Sequence, residues 1–338
     1  MALRAKDIAE MLGVSTATVS LVLNNKPGVG EQKRQEIIQK IKDLGCDYML
    51  KGVSVNKGSI GFVVYKRCGR IIDESPFFTY ILEGITNSIN SYGYNLSFIY
   101  MNKNMAPEEQ RLLLMSSNCS GLIIFGVEMQ REDLQVFVDS GLPFSILDNS
   151  FQESDVDSVA INNIQGTSKA IQYLYDMGHR DIGYIRSKVR INSFDERYQV
   201  YKTCLRKLGL EFRKEFVMDV DYSETEVRRD ARAYFKVNKI HPTAFFVEND
   251  FLACGAMQEI QELGLRVPDD ISMVGFDDRP ISQLVQPNLT TVNVPKNIFG
   301  PAAVDLLMTR MKDKREQSLK IEIGTNLVSR DSVKKISR

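Results

Sequence analysis

The stretch from Lys6 to Asn24, KDIAEMLGVSTATVSLVLN, decides how the start of this 338-residue chain folds. Its apolar residues keep helical spacing as far as Gly13, which predicts a short helix followed by a turn. Ser15 then predicts the start of a second helix, because its hydroxyl can accept a hydrogen bond from the otherwise unpaired amide of Ala17 or Thr18. Two short helices joined by a tight turn are typical of a DNA-binding helix-turn-helix. A solvated helical hairpin attached to a larger enzyme is the alternative.

The second helix of this stretch has two faces of different chemistry. We expect one face to be buried, and it carries Val19, Val22 and Leu23. The other face carries small side chains and hydroxyls, at Thr16, Ala17, Ser20 and Leu21. Small polar side chains allow close approach to phosphates and to base edges in a major groove, whereas an ordinary surface helix presents Glu and Lys to water. The pattern therefore favours DNA binding.

Composition limits the classes of protein that the chain can be. Its length is enough for two or three domains, and 43% hydrophobic with 25% charged residues is typical of a soluble globular protein. We expect a cytoplasmic protein, since no stretch approaches the roughly eighteen continuous apolar residues of a membrane span and the N-terminus lacks the apolar core of a signal peptide. Five widely spaced cysteines without a CxxC motif, and only two histidines, predict no disulfide framework, no metal site and no cofactor.

Charge is balanced over the whole chain but not at its start. Residues 1 to 60 carry nine basic and six acidic side chains, an excess of three positive charges. A third helix is predicted from Glu31 to Leu44, and Lys33 and Arg34 at its start could contact a DNA backbone. The modest excess fits a specific DNA-binding module better than a nonspecific polyanion binder, which would be far more basic.

After residue 58 the pattern alternates between strand and helix. Strands are predicted at 60–65, 96–100, 122–125 and 144–147, with helices at 77–92, 107–116 and 132–140. The pattern then restarts, with helices at 166–177, 195–208 and 253–263 and strands at 182–185, 244–247 and 272–276. Such alternation with short connections predicts parallel sheets covered by helices on both faces, in two similar Rossmann-like halves.

Several motifs resemble those of the LacI/GalR family of bacterial transcriptional repressors. They include Lys6-Asp7-Ile8-Ala9, Gly13-Val14-Ser15, the run from Thr18 to Asn24, Ser75-Pro76-Phe77-Phe78, Gly178-His179-Arg180-Asp181-Ile182, Asn249-Asp250, Val267-Pro268-Asp269-Asp270-Ile271-Ser272, Gly275-Phe276-Asp277-Asp278 and Leu289-Thr290-Thr291-Val292. The resemblance implies a small all-α helix-turn-helix headpiece at 1–45, a hinge at 46–58, and an α/β effector domain of the periplasmic-binding-protein type. Its N-subdomain would comprise 59–160 and 293–325, and its C-subdomain 161–292 and 326–338.

The resemblance also implies how the headpiece would bind DNA. Thr16, Ala17 and Leu21 match the positions that face bases, and the positions that hold phosphates are Ser15, Thr18, Ser20 and Asn24. Leu21 replaces an arginine that is frequent in the family, which removes a guanine contact. Because one headpiece reads half a site, we expect a homodimer on a palindromic operator.

The connector at 46–58 departs from the family pattern. It lacks the usual Pro-Asn pair and has β-branched residues with Gly52 in its middle. Leu50, Val53 or Val55 could act as the apolar wedge that kinks the minor groove, and a plain flexible linker is an equal alternative.

A small-molecule effector is expected in the cleft between the two halves, because ligands of open parallel sheets bind beyond the carboxyl ends of the strands. The candidates follow strand ends and match family positions that line the effector pocket: Phe77, Phe78, Asp148, Asn149, Ser193, Arg197, Tyr222, Asn249 and Asp277. Phe78 is expected in the pocket and Phe77 is the second candidate, although both phenylalanines could instead belong to the core. Arg197 could instead be a surface charge and Asp277 a turn cap. Asp278 and His179 are expected to be structural.

These residue types favour a small polar effector. Arg197 offers a planar fork of donors, the carboxylates can accept from ring hydroxyls, and the aromatic residues give flat walls. Together with the aromatic walls, the resemblance to the family implies a carbohydrate first and a nucleobase or nucleoside second. An enzyme is disfavoured, since GxGxxG, GxxxxGK[ST] and GxSxG motifs are absent from the sequence. A free-standing sugar-binding protein is disfavoured by the headpiece.

Overall fold

The computed structural model describes residues 4–24, 26–44, 46, 49, 57–74, 77–313 and 315–337. The chain divides into two compact units, which are Met1–Lys57 with Asn90–Tyr94, and Gly58–Ile89 with Asn95–Arg338. Among the described residues, none of the helices is both long and apolar enough to cross a bilayer.

The headpiece contains three helices, α1 (Ala5–Leu12), α2 (Thr16–Leu23) and α3 (Glu31–Asp43). Gly13 ends α1 in the left-handed conformation, with φ of 61°, which costs glycine nothing. Ser15 caps α2 as predicted, since its Oγ accepts a hydrogen bond from the Thr18 amide at 3.0 Å. All three helices share one apolar core that includes Ile8, Ala9, Val19, Val22, Leu23, Ile37, Ile38 and Ile41.

The N-subdomain is built on six described strands in the order β11-β5-β4-β3-β1-β2. They are β1 (Ser59–Lys66), β2 (Asn95–Asn102), β3 (Cys119–Phe125), β4 (Phe144–Leu147), β5 (Asp157–Ile161) and β11 (Lys320–Ile323). The described pairings in this sheet are parallel. Its helices are α4 (Arg70–Glu74), α5 (Leu82–Ser91), α6 (Pro107–Ser116), α7 (Gln135–Asp139) and α12 (Lys296–Lys312).

The C-subdomain repeats the arrangement with the order β12-β10-β9-β8-β6-β7. Its strands are β6 (Ile182–Ser187), β7 (Val217–Val220), β8 (Ala244–Val247), β9 (Ser272–Asp277), β10 (Thr290–Asn293) and β12 (Asn326–Val328), and β12 is antiparallel to β10. Its helices are α8 (Asn163–Asp176), α9 (Asn192–Lys207), α10 (Glu224–Val237) and α11 (Asp250–Glu262). The chain passes between the subdomains after β5, after β10 and after β11, so the crossovers lie at the same edge of both sheets.

The structure differs from the sequence prediction in several elements. The single helix predicted at 77–92 is a 3-10 turn, Phe77–Tyr80, followed by α5, because Phe77 packs towards Phe299 while Phe78 packs towards Phe62 and Phe125. The helix predicted at 132–140 likewise begins as a 3-10 turn, Arg131–Leu134.

The sequence pattern did not predict α4, α10, α12 or the strands β5, β7, β10, β11 and β12. The strands have three to five residues each, too few to show a period. Helix α12 is buried at Phe299, Gly300, Ala303, Val304, Leu306 and Leu307, so it has no polar stripe over much of its length.

Candidate effector cleft and DNA-reading helix

The exposed face of α2 carries the side chains that the sequence predicts for DNA contact. Ser15, Thr16, Ala17, Ser20 and Asn24 are exposed, whereas Thr18 and Leu21 are half-buried. Two hydrogen bonds fix the polar groups at the helix ends: Ser15 Oγ lies 2.8 Å from Thr18 Oγ1, and Asn24 Nδ2 donates to the Ser20 carbonyl at 2.8 Å. These hydrogen bonds therefore fix the orientation of the polar side chains at the two ends of α2.

The two basic residues at the start of α3 differ in position. Lys33 is exposed and forms an ion pair with Glu36 at 2.9 Å. Arg34 is buried, and its Nη2 donates to the Lys26 carbonyl, so it holds the loop between α2 and α3. The expected contact between Arg34 and DNA backbone therefore has to be corrected, since its guanidinium is engaged inside the headpiece. The expected wedge residues Leu50, Val53 and Val55 lie outside the described residues.

The cleft between the subdomains brings together seven of the nine predicted effector residues. They are Phe77, Asp148, Ser193, Arg197, Tyr222, Asn249 and Asp277, and they line one cavity with Ile71, Val127, Ile161, Ile191 and Phe194. The cavity has a volume of only about 30 Å³, which is room for about one or two water molecules. Side chains from both subdomains thus fill most of the cleft.

Two carboxyl groups approach the cavity from opposite subdomains. Asp148 follows β4 and Asp277 ends β9, and both have a left-handed backbone, with φ of 66° and 101°. Non-glycine residues in this region are strained, and such strain concentrates at ligand sites. Burial, together with repulsion from Asp277, raises the pKa of Asp148 to about 8, although Arg197 opposes the shift. Burial also raises the pKa of Asp277, against the opposing charges of Arg197, Arg279 and Lys296.

Arg197 organises the C-subdomain side of the cleft. Only 2% of it is exposed, and its guanidinium carbon lies 3.6 Å from the centre of the Phe276 ring. Its Nε donates to Asn163 Oδ1 at 2.8 Å, its Nη1 donates to the Glu248 carbonyl, and its Nη2 lies 3.7 Å from Asp277 Oδ1. It is therefore not a surface charge; it is a buried cation whose charge opposes the rise in the pKa of Asp148 and of Asp277.

The remaining wall is set by the start of α11. Asn249 caps this helix, since its Oδ1 accepts from the Leu252 amide at 3.0 Å, and its Nδ2 donates to the Tyr222 hydroxyl at 2.6 Å. Tyr222 stacks on Phe251 with ring centres 5.2 Å apart. These contacts fix the polar edge and the flat face that a bound ring would meet.

Two predicted effector residues belong elsewhere. Asn149 is saturated by structural bonds, because its Nδ2 donates to the carbonyls of Gly126 and Met129 and its Oδ1 accepts from the Ser150 amide and from Asn192 Nδ2. Phe78 packs against Phe62 and Phe125, and Phe77 lines the cavity in its place. The expectation that Phe78 lies in the pocket therefore has to be corrected, whereas Phe77, the second candidate, does line the cavity.

The geometry agrees with the structural roles expected for Asp278 and His179. Asp278 accepts from Arg330 Nη2 at 2.6 Å and from Asn293 Nδ2 at 2.8 Å, which makes it structural. His179 is buried, with Nδ1 2.9 Å from Thr243 Oγ1 and Nε2 3.1 Å from the Lys334 carbonyl. Among the described residues, His, Cys, Asp and Glu form no cluster that could hold a metal ion.

Sequence reasoning missed the apolar cavity residues. Phe194 could have been found, because it lies one helical turn before Arg197 on the same face of α9. Ile71, Val127 and Ile191 are apolar residues in or beside loops that follow strands, and Ile161 ends β5. Nothing in their type or spacing distinguishes them from core residues.

Comparison with known proteins identifies the class. The family model for bacterial regulatory proteins of the lacI family matches residues 5–46. The family model for the periplasmic binding protein-like domain matches residues 171–333. The HTH-type transcriptional repressor PurR of Yersinia enterocolitica is 33% identical over 97% of this chain and 96% of its own length. PurR of Pasteurella multocida is 30% identical over 97% and 98%.

Solved structures share the fold. The complex of the transcriptional regulator CelR with cellobiose superposes with a TM-score of 0.73 at 24% identity, covering 98% of this chain and 99% of that one. The lac repressor dimer bound to operator and the anti-inducer ONPF gives a TM-score of 0.71 at 23% identity, covering 99% and 100%. This chain belongs to the LacI family. It is a DNA-binding transcriptional repressor with a helix-turn-helix headpiece and a periplasmic-binding-protein-like effector domain.

Proposed function

We propose that this repressor binds a carbohydrate effector between Asp148 and Asp277 and regulates carbohydrate-utilisation genes. The observation that supports the carbohydrate is the pair of buried carboxyl groups facing one cavity from opposite subdomains. Ring hydroxyls both donate and accept hydrogen bonds, so they can pair with two carboxyl groups whether these are ionised or protonated, and aromatic side chains such as Phe194 suit the apolar face of a sugar ring. A ligand held by both carboxylates binds the two subdomains in one relative position, which is how an effector changes the spacing of two headpieces.

A nucleobase or nucleoside is the second candidate. Phe194 and Tyr222 lie with ring centres 6.2 Å apart and planes inclined by 32°, and such flat side chains can also stack on a base. The carbohydrate ranks first because a base offers fewer hydroxyl donors to the two carboxyl groups. One structural neighbour, the transcriptional regulator CelR, was solved in complex with cellobiose.

We propose that DNA contact involves Thr16, Ala17 and Leu21 at base edges, with phosphates held by Ser15, Thr18, Ser20, Asn24 and Lys33. The small or hydroxyl-bearing side chains of Thr16, Ala17 and Ser20 on α2, together with the exposed Lys33 on α3, support this assignment. The bacterial cytoplasm is the compartment that fits operator DNA as a partner.

A homodimer is proposed because one headpiece reads half of a palindrome. Exposed apolar side chains support a contact surface between copies: Phe98 and Tyr100 lie on β2, an edge strand of the N-subdomain sheet, and Leu112 and Met115 lie on α6. Monomers rarely expose such side chains together on an unprotected sheet edge.

A thermal-shift screen tests the effector class. Purified repressor is heated with a panel of monosaccharides, disaccharides, sugar phosphates and nucleobases, and a ligand at 100 times its Kd should stabilise it by about 2.7 kcal/mol. The variant Asp277→Asn, which keeps the side-chain shape, should lose most of the shift that a sugar produces. Stabilisation by a nucleobase alone would overturn the carbohydrate assignment in favour of the second candidate.

A further inference from the structure

Helix α4 connects the effector cavity with the opposite subdomain. Ile71 on this helix lines the cavity, and the neighbouring Arg70 reaches across the cleft. Arg70 Nη1 donates to Asp221 Oδ1, and Arg70 Nη2 donates to Glu226 Oε2 at 3.1 Å. Asp221 in turn precedes the cavity residue Tyr222. Arg70 therefore forms ion pairs with two carboxylates and joins the subdomains directly beside the cavity.

The strand orders place this ion pair far from the crossovers. In the N-subdomain sheet, β5 and β11 lie at one edge, while β1, which leads into α4, lies near the other edge. In the C-subdomain sheet, β10 and β12 lie at one edge, and β7, which leads into Asp221, forms the opposite edge. Because the crossovers act as the hinge, a bond at the far edge has the longest lever arm against opening of the cleft.

Both partners of the ion pair are held in place by their own subdomains. On the N-subdomain side, the buried Glu128 carboxylate accepts hydrogen bonds from five backbone amides of the segment that carries Arg70. The donors are the amides of Arg67, Cys68, Gly69, Ile71 and Ile72, at 2.8 to 3.3 Å. A carboxylate at the start of a helix is also favoured by the helix dipole.

The acceptors are fixed in a similar way. Asp221 Oδ1 accepts from the Tyr222 amide at 2.9 Å, and Glu226 Oε2 accepts from Ser223 Oγ at 2.9 Å. An exposed ion pair normally contributes little because two long side chains must be immobilised. Here the helix, the loop and both carboxylates are already ordered, so less entropy is lost when the pair forms.

We propose that Arg70, Asp221 and Glu226 form a latch that closes the mouth of the effector cleft, and that Glu128 positions it. The volume of the cavity requires opening, since ligand pockets have volumes of about 300 to 1,000 Å³ and this cavity has about 30 Å³. Effector entry and release therefore break the latch. Its modest strength biases the cleft towards closure without locking it. This inference rests on the proposed role of the cleft as the effector site.

Hydrogen exchange of the ligand-free, full-length repressor tests the latch. The amides of Asn192, Ser193 and Phe194 begin α9 at the cleft, and first-turn amides have no acceptor within their own helix. Their protection therefore reports closure of the cleft. The variants Arg70→Met and Asp221→Asn should each raise their exchange rate about 1.4- to fivefold, the range that corresponds to the free energy of an exposed ion pair.

The double variant Arg70→Met with Asp221→Asn should exchange no faster than the faster single variant, because Arg70→Met already removes the ion pair that Asp221→Asn affects. The matched control is Arg131→Met, which breaks the 2.8 Å pair of Arg131 with Glu153 inside the N-subdomain and should leave the rate unchanged. Glu128→Gln keeps the side-chain shape but not the charge, and it should raise the rate even though Arg70 is intact, whereas Arg70→Lys should restore part of the protection.

Three results would overturn the latch. They are an unchanged rate in Arg70→Met, an equal rise in Arg131→Met, and an equal rise in the core strand β8, Ala244–Val247, which would indicate general destabilisation. Since the measurement contains no ligand, its failure leaves the carbohydrate proposal standing. A negative ligand screen, in turn, leaves the latch intact.

Discussion

At the scale of single residues, ionisation of the Asp148 carboxyl group is unfavourable in the folded protein. The pKa of Asp148 is raised to about 8 by burial and by Asp277, whereas an unfolded Asp titrates near 4. Between these values the folded chain holds a proton that the unfolded chain has lost, so this group stabilises the fold below pH 4 and the contribution is lost as pH rises to 8. We predict that Asp148→Asn stabilises the repressor at pH 8 by about 1–3 kcal/mol and has little effect at pH 4. Urea denaturation at both pH values measures this, with exposed Asp139→Asn as the control. A difference that does not depend on pH would contradict the assignment.

At the scale of elements, α2 is a short helix with one face packed in the headpiece core and the other exposed. Val19, Val22 and Leu23 bind it to the headpiece core, and Ala17 lies exposed on the opposite face. We predict that Ala17→Phe lowers affinity for an operator, selected from random DNA by the wild-type protein, at least about fivefold, because a lost base contact costs about 1–3 kcal/mol. Fluorescence anisotropy measures the affinity, and circular dichroism should show an unchanged fold. The control Gln39→Phe places the same ring on an exposed position of α3 and should bind normally. Equal affinity of both variants would mean that α2 does not enter the groove.

At the scale of the whole molecule, the proposed DNA-binding helix and the proposed effector cleft lie in different units of one chain. If the effector changes operator affinity by some factor, the operator must change effector affinity by the same factor. We predict a factor of about 5 to 150 in both titrations, corresponding to a coupling free energy of about 1–3 kcal/mol. Calorimetric titration with the effector found by the screen, in the presence and in the absence of operator, measures the change in effector affinity. Operator titrations with and without effector measure the change in operator affinity. An effector affinity that is the same with and without operator would rule out allosteric control.

Local signals predicted most of the elements. The Ser15 cap, the left-handed Gly13 and the apolar spacing of Val19, Val22 and Leu23 are properties of a few adjacent residues, and the structure contains each of them. Long apolar strands were found for the same reason. Elements without a local period, such as β7 and α12, were missed because tertiary burial alone stabilises them.

The sequence by itself predicted a helix-turn-helix headpiece and a ligand site beyond the ends of the strands. Only the tertiary structure decided which of two adjacent residues enters the site. Phe77 rather than Phe78 lines the cavity, and Asn149 and Arg34 are engaged by backbone carbonyls. The physical reason is that strand ends fix the neighbourhood of a residue, whereas the direction of its side chain depends on partners distant in sequence. The contact of Arg70 with Asp221 spans 151 positions and shows the same dependence, because no local pattern specifies it.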